Sequence, residues 1–559
     1  MEVERSQFAV KLLPSLTDFA FLLPGVFLFS RMQGVKTLLS DCDTGWHIRT
    51  GQWILANHRV PWHDFYSFSK PGAVWYAWEW LSDVLFAVLN RVGGLALVVV
   101  LGLLLITAIF TLLFRRVGKR ANAVVAILVT AVAVAGSSIH WLARPHLFTL
   151  LFVLLFHAAL DEVRDGRRRL WGVPYLALLP AATILWTNLH GGFFVGIVMI
   201  GAYGAGELVR GALAPGAGEL RAAWGQARPY LLSALGCLAA SLINPYTYHL
   251  HAHVISYLRD PYQAAHIIEF LSLSFQNPIA IFFEIMLAGA AAAALWNARR
   301  GRWAEPVYLL VWAHAALLAV RNVPVFLIVA APPVGAAVDA WLARLPELDV
   351  AGWLRAAAAR FNRVALETTA TDRIPRWHLV SGLAAALFVV LLYAPHPPKR
   401  LRAEFDPDTY PAGAVEMLRR DGAARIFAND EWGDYLIYRL YPGNRVFVDG
   451  RSDFYGSSFE QKYLDVMNVK YGWEDTLDRF GVNTILLPPS AALTGALKES
   501  RSWSVVYDDG VAVVFRPAAG AAGSRTNSVT ATGDGEGRDR KVTKTEARDQ
   551  AITETKPRT

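Results

Sequence analysis

Apolar runs close to the length of a bilayer crossing recur along the first 395 residues of the chain, and no other feature restricts its fold as much. A hydrocarbon core ~30 Å thick takes about 20 apolar residues in a helix. We read about eleven such spans, at 17–39, 95–114, 121–139, 146–160, 173–187, 190–206, 229–243, 278–296, 304–320, 323–341 and 377–395. Inside a bilayer no water satisfies the backbone, so segments of this length cross as helices. Charged residues make up 18% of the chain, where a soluble protein carries about a quarter. The expected fold is an α-helical polytopic membrane domain over 1–395.

Lys and Arg mark the orientation. With the N-terminus in the cytoplasm, the inside segments hold about three times as many cations as the outside loops, Arg115-Arg116-Val117-Gly118-Lys119-Arg120 and Arg167-Arg168-Arg169 among them. Positive charge distributed this way sets topology. No basic helix or zinc-finger spacing accompanies it, so nucleic acid is not an expected partner. The N-terminal apolar run lacks a small-residue cleavage signal and reads as an uncleaved first span. The two cysteines, Cys42 and Cys237, sit in a polar loop and an apolar run and imply no disulfide framework.

The first outside loop, 40–94, carries two amphipathic segments. Thr44 to Asn57 sets Trp46, Trp53 and Ile54 on a helical face suited to a membrane surface, and Trp75 to Asn90 reads as a second interfacial helix. From 396 to 517 apolar runs shorten to strand length. Arg425–Ala428, Arg445–Val448 and Asn483–Leu487 read as strands, with helices expected at 411–421, 430–440, 472–481 and 491–499. Asp509-Gly510 suits a two-residue hairpin turn. This alternation predicts a small extracytoplasmic α/β domain, followed at 518–559 by a polar tail of disordered composition.

Candidate chemistry falls in the outside loops. In Asp41-Cys42-Asp43, two acids at i and i+2 bind a divalent cation, supply a general base, or cap a helix beginning at Thr44. Arg144 of Ala143-Arg144-Pro145-His146 is a phosphate ligand or a snorkelling anchor. Asn188 and His190, before Gly191-Gly192, line a wet cavity or form a simple turn. His249, His253, His266 and Glu269 permit a zinc set, although a polar pocket lining fits them better. Arg321 adds a cation on the same side.

A long acidic first loop, interfacial helices, about eleven spans and an outside C-terminal domain resemble the GT-C superfamily of membrane glycosyltransferases. The resemblance is closer to a group of uncharacterised bacterial membrane proteins. It rests on Asp41-x-Asp43-x-x-Trp46-His47-Ile48, Glu79-Trp80-Leu81-Ser82, Arg144-Pro145, Asn188-x-His190-Gly191 and Asn244-Pro245-Tyr246, and in the C-terminal domain on Trp432-Gly433-x-Tyr435-Leu436 and Phe447-x-Asp449-Gly450-Arg451. It implies sugar transfer from a polyprenyl-phosphate donor to a glycan, lipid or protein acceptor, at the outer face of a bacterial inner membrane. Asp41 and Asp43 would be catalytic or hold Mg2+ or Mn2+, although some members of the superfamily work without metal. Arg144, His146, Asn188, His190, Glu269, Arg321 and Glu79 would bind substrate. Two other functions compete. A transporter of a lipid-linked intermediate would show inverted repeats and midplane charges. A non-catalytic envelope scaffold would bind glycan or a partner through Asp449-Gly450-Arg451-Ser452-Asp453.

Overall fold

The computed structural model describes residues 10–422 and 424–518. The expected tail therefore lies, except for residue 518, outside the described residues. Each of the eleven apolar runs coincides with a helix. They are α1 (Leu16–Arg31), α3 (Trp80–Val117), α4 (Ala123–Ser137), α5 (His146–Arg164), α6 (Tyr175–Leu189), α7 (Phe194–Leu213), α8 (Ala217–Ala240), α10 (Ala280–Ala298), α11 (Ala304–Leu318), α12 (Val323–Arg344) and α14 (Leu379–Leu392). Among the described residues, seven helices are long and apolar enough to cross a membrane; α6, α11 and α14 are shorter apolar helices. α8 begins with a polar stretch and carries Pro229. Two further helices, α2 (Asp43–Asn57) and α9 (Tyr248–Arg259), belong to the loops, and α13 (Gly352–Asp372) precedes the last apolar helix.

Local chemistry sets several boundaries. Ser15 and Asp18 form a reciprocal capping box at the start of α1. The first span ends at Arg31 rather than near 39, and Val35–Leu38 forms a separate turn of helix. The expected interfacial helix at 75–90 and the span at 95–114 are two arms of α3, broken at Gly93-Gly94. Gly94 has φ +65°, which a residue without Cβ adopts freely. The first arm begins only at Trp80, because residues 75–79 run in non-helical conformation into the capping position of Glu79.

The C-terminal domain is a mixed five-stranded sheet with helices around it. Strands β1 (Arg425–Ala428), β2 (Arg445–Val446), β3 (Thr484–Leu487), β4 (Trp503–Asp508) and β5 (Val513–Pro517) lie in the order β2-β1-β3-β5-β4. The first three are parallel and the last two close antiparallel. The four expected helices form at Ala412–Asp421, Asp430–Leu440, Trp473–Arg479 and Ala492–Glu499. The β4–β5 connection is wider than a two-residue turn. Asp509 Oδ1 accepts from the amides of Val511 and Ala512, and Gly510 takes φ +84°.

This domain is docked on the first loop. Val446 N donates to Tyr66 O and Phe68 N to Val446 O, both at 3.0 Å, so the loop pairs with the edge of β2. Arg451 is buried between Asp64 (2.8 Å) and Asp449 (2.7 Å), with its guanidinium over Trp75. Gly45 of α2 lies against Tyr438, where a Cβ would stand 2.7 Å from the Tyr438 Cβ. The predicted membrane-surface face of α2 is therefore a packing face. Trp46 and Ile54 are each 7% exposed, because α3 and the helix Asp430–Leu440 cover α2 on both sides.

Candidate active site

The loops that carry the candidate residues converge at one end of the bundle, beneath the C-terminal domain. A cavity of about 360 Å³ lies there, lined by Asp43, His47, Glu79, Arg144, His190, Glu269, Arg321 and the 450–453 segment.

Arg144 is the hub. Its guanidinium pairs with Asp41 (2.7 Å), Asp43 (2.6 Å) and Glu269 (3.0 Å). Ala143 N donates to Leu38 O and Thr44 Oγ1 donates to Ala143 O, which pins this loop against the first. A snorkelling side chain would hold its charge in water; this one is 20% exposed and held among carboxylates. Asp43 does not cap α2 from outside, since the helix begins at Asp43 itself and Cys42 is the N-cap without a side-chain bond. Asp41 takes the local role, accepting from Asp43 N at 2.8 Å, and this leaves the Asp43 carboxyl free for Arg144.

Charge and burial set the protonation states. Burial pushes Asp43 up to about 7, with Arg144 pulling against it and Asp41 and Glu269 adding to it. Asp43 also hydrogen-bonds Asp434, a buried acid from the C-terminal domain that is raised well above its ordinary value by burial and by the Asp43 charge. One proton between them belongs on Asp434, because Asp43 has the guanidinium. Glu269 goes the other way. Burial raises it, but Arg144, His140 and Arg321 outweigh that and hold it at about 2. Glu79 is raised to about 8 by burial, with Asp43 and Asp453 adding to it against Arg144 and Arg321.

Glu79 sits between two imidazoles, His47 Nε2 at 3.3 Å and His190 Nε2 at 3.2 Å. His190 Nδ1 accepts from Gly192 N (2.9 Å) and meets Thr149 Oγ1 (2.8 Å), which itself accepts from Trp186 Nε1. The proton of His190 is therefore on Nε2, facing Glu79. A Cβ at Gly192 would stand 2.6 Å from Thr149 Oγ1, so glycine is what lets this turn close. Burial holds His190 down at about 3 and His47 well below its ordinary value, with nearby Arg144 contributing to both.

Of the residues singled out from the sequence, the fold brings Asp41, Asp43, Arg144, Glu269, Arg321, Glu79 and His190 to this site. Arg321 reaches Glu269 at 3.9 Å and lies over the Phe270 ring. Asn188 and His146 do not line the cavity. Asn188 accepts from Trp80 Nε1 and donates to Ile184 O and Ile243 O, which ties helices together. His146 contacts His140 O from behind the Arg144 loop. The zinc set does not assemble, because His249 packs on Trp62, His266 is exposed and bonds its own helix, and His253 pairs with Asp453. Among the described residues no group of three or more His, Cys, Asp or Glu is arranged to hold a metal ion. A Mg2+ or Mn2+ ion does not fit Asp41 and Asp43 as they stand, since the guanidinium of Arg144 occupies both carboxylates.

Sequence reasoning passed over Asp434 and Asp83, and it named His47 only within a motif and Asp453 only in the scaffold reading. Their signal lay in neighbouring glycines. A Cβ at Gly450 would stand 2.6 Å from Asp434 Oδ2 and 2.7 Å from Asp43 Oδ1, so the 450 loop approaches the site by its backbone. Gly51 likewise lets α2 lie on the backbone of α3 at Asp83, where any Cβ would collide.

No family model matches the chain, and no curated protein does. A solved structure is similar over most of the chain. It is the archaeal oligosaccharyltransferase AglB from Archaeoglobus fulgidus, in complex with an inhibitory peptide and a dolichol-phosphate. The match has 13% identity and a TM-score of 0.50, and it covers 92% of this chain and 74% of that one. A polytopic helical membrane domain with a C-terminal sheet domain over its loop face is thus a fold this chain shares with an oligosaccharyltransferase.

Proposed function

We propose that the protein is a membrane glycosyltransferase that moves a sugar from a polyprenyl-phosphate-linked donor to an envelope acceptor, at the outer face of a bacterial inner membrane. The observation that carries this reading is one cavity in which Asp43, Glu79 and Glu269 face Arg144 and Arg321 beside an apolar wall. It lies in an architecture shared with a protein solved with a dolichol-phosphate.

Each part suits one portion of such a substrate. Phe194, Val195, Leu258 and Phe270 form the apolar wall where the span Gly191–Leu213 begins. Outside it, the 244–277 segment exposes Ile255, Leu258, Ile268 and Phe275, a surface compatible with lipid. A prenyl chain would run along it. Arg144 and Arg321 stand where a departing phosphate would gain charge. Asp41 holds Arg144 in place. Asp43, half-neutralised by the guanidinium, would stabilise positive charge developing on the sugar ring. Tyr76 and Trp78, both half-buried, also line the cavity, and such rings suit stacking on a sugar. The acceptor, whether glycan, lipid or protein, would enter beneath the 450–453 segment.

The scaffold reading fits less well. It needs 449–453 as a free surface, but Asp449 and Arg451 are each 2% exposed and engaged with each other.

The experiment is mass spectrometry of polyprenyl-phosphate sugars and envelope glycans in cells lacking the protein, with rescue by wild type, Asp43→Asn and Arg144→Gln. Accumulation of one lipid-linked sugar together with loss of that sugar from a glycan, corrected by wild type alone, is the expected result. Full rescue by both expressed variants, or no change in any glycan, overturns the proposal.

A further inference from the structure

The first loop and the start of α3 place three titratable side chains in line behind the cavity. His47 Nδ1 meets Asp83 Oδ1 at 2.6 Å, and His47 Nε2 meets Glu79 Oε2 at 3.3 Å. Only Glu79 and His47 line the cavity; Asp83 is 0% exposed and its second oxygen has no partner. Glu79 is the N-cap of α3 but makes no capping bond with its side chain, so nothing in the helix claims its carboxyl. Its other oxygen faces His190 Nε2–H, whose tautomer is set from behind by Gly192 and Thr149. The remaining charges around Glu79 are Asp43, Arg144, Arg321 and Asp453.

We propose, on the strength of the transferase reading, that Glu79 is the base that takes the acceptor's hydroxyl proton, and that His47 and Asp83 are positioning residues that ready it. The geometry separates this task from Asp43, whose carboxyl is committed to Arg144 and Asp434. A single proton in the line has two resting places. With Glu79 neutral, it donates to His47 Nε2 while Nδ1–H donates to an ionised Asp83. With the proton on Asp83, it donates to Nδ1, and His47 presents Nε2–H to an ionised Glu79. The imidazole is neutral in both, as its burial requires. In the second form the acceptor oxygen bonds the anomeric carbon, and the bond from that carbon to the donor phosphate oxygen breaks. The electron pair leaves on the phosphate, facing Arg144 and Arg321, and the hydroxyl proton moves to Glu79. A carboxyl raised to about 8 is a far stronger base than an ordinary carboxylate and is still partly ionised near neutrality.

Glu79→Gln tests this with little disturbance. The amide has the shape of the acid and offers a carbonyl to His190 Nε2–H and an NH2 to His47 Nε2. Infrared difference spectra of the purified full chain in nanodiscs, wild type minus Glu79→Gln, should show one neutral-carboxyl carbonyl band that disappears as pH rises through about 8. No such band overturns the proposal, whatever the protein transfers. In the rescue cells, membranes from each strain are assayed with the lipid-linked sugar that accumulates. Glu79→Gln should lower kcat by about 10²-fold or more, with KM for the donor within about threefold, and should abolish the rising limb of the pH profile. Glu79→Asp should restore part of the rate, and Asp83→Asn should displace the limb by about one unit. Wild-type kcat and pH profile in Glu79→Gln, with Asp43→Asn inactive, refutes the base while leaving sugar transfer standing. If no strain accumulates a lipid-linked sugar, the transferase reading has failed, and the infrared band alone decides whether Glu79 holds the proton.

Discussion

Replacing Arg144 by Gln should destabilise the protein by about 3 kcal/mol at pH 7, and the loss should shrink in acid. Arg144 is the common partner of Asp41, Asp43 and Glu269, at 2.7, 2.6 and 3.0 Å. Removing one member of a buried ion pair costs about 3–5 kcal/mol, and these part-buried pairs fall at the lower end of that range. Glu269 gives a second route to the magnitude. Its folded pKa of about 2 lies below the ordinary 4.5 because Arg144, with His140 and Arg321, outweighs the burial that raises it. A shift of about 2.5 units corresponds to ~3 kcal/mol. A depressed carboxyl contributes its stability above the unfolded pKa and loses it as pH falls through the folded one. The window therefore runs from about 4.5 down to about 2. SDS-driven unfolding in mixed micelles, followed by tryptophan fluorescence, would measure wild type and Arg144→Gln at pH 7 and pH 3. The expected gap is ~3 kcal/mol at pH 7 and ~1 kcal/mol at pH 3. A gap under about 1 kcal/mol at pH 7, or one equal at both pH values, would refute the account of Arg144 as counter-ion to this cluster.

Other perturbations separate the remaining contacts. Arg451→Met should cost about 3–5 kcal/mol and loosen the C-terminal domain from the first loop, because it leaves Asp64 and Asp449 buried without a cation; new protease cleavage in the 393–411 connection reports it, and an unchanged digestion pattern argues against it. Gly450→Ala sets a Cβ 2.7 Å from Asp43 Oδ1 and should lower transfer far more than unfolding free energy, with overpacking of about 1–3 kcal/mol as the upper bound; equal wild-type rates would show that the loop has room. Asp434→Asn should alter stability by less than about 1 kcal/mol at pH 7, since an amide N–H replaces the proton given to Asp43. It should also flatten the pH dependence of stability. The proton shared by Asp43 and Asp434, both raised by burial, makes the fold lose stability as pH rises above the ordinary carboxylate range. A slope that survives in Asp434→Asn would place the titration elsewhere.

The span pattern, the α/β alternation after residue 396 and the placing of polar residues in alternate loops were legible without coordinates, because each follows from local hydrophobicity and period. Apolar length sets the helices of the bundle, and strand-length runs between helical ones set the sheet. Arg144 stood out as a lone cation in its loop, and Asp41-x-Asp43 as paired acids. The partners of these residues were not legible. Whether Asp43 meets a metal, a helix end or a guanidinium depends on how the 140–146 loop folds against the first loop, and the bond from Ala143 N to Leu38 O decides that. The face of α2 carrying Trp46 suited a membrane surface equally well by periodicity, since lipid and a neighbouring helix both accept apolar side chains. α3 on one side and the C-terminal domain on the other, docking nearly 400 residues away in sequence through Tyr438 and Arg451, made that face a protein interior. The same docking brings Asp434 to Asp43 and Gly450 over both. Hydrophobic pattern is a property of short windows, and so the sequence by itself determined the elements. Protonation state and counter-ion are properties of distance and burial, and so only the tertiary structure decided which carboxylates face the guanidinium and which are raised by burial.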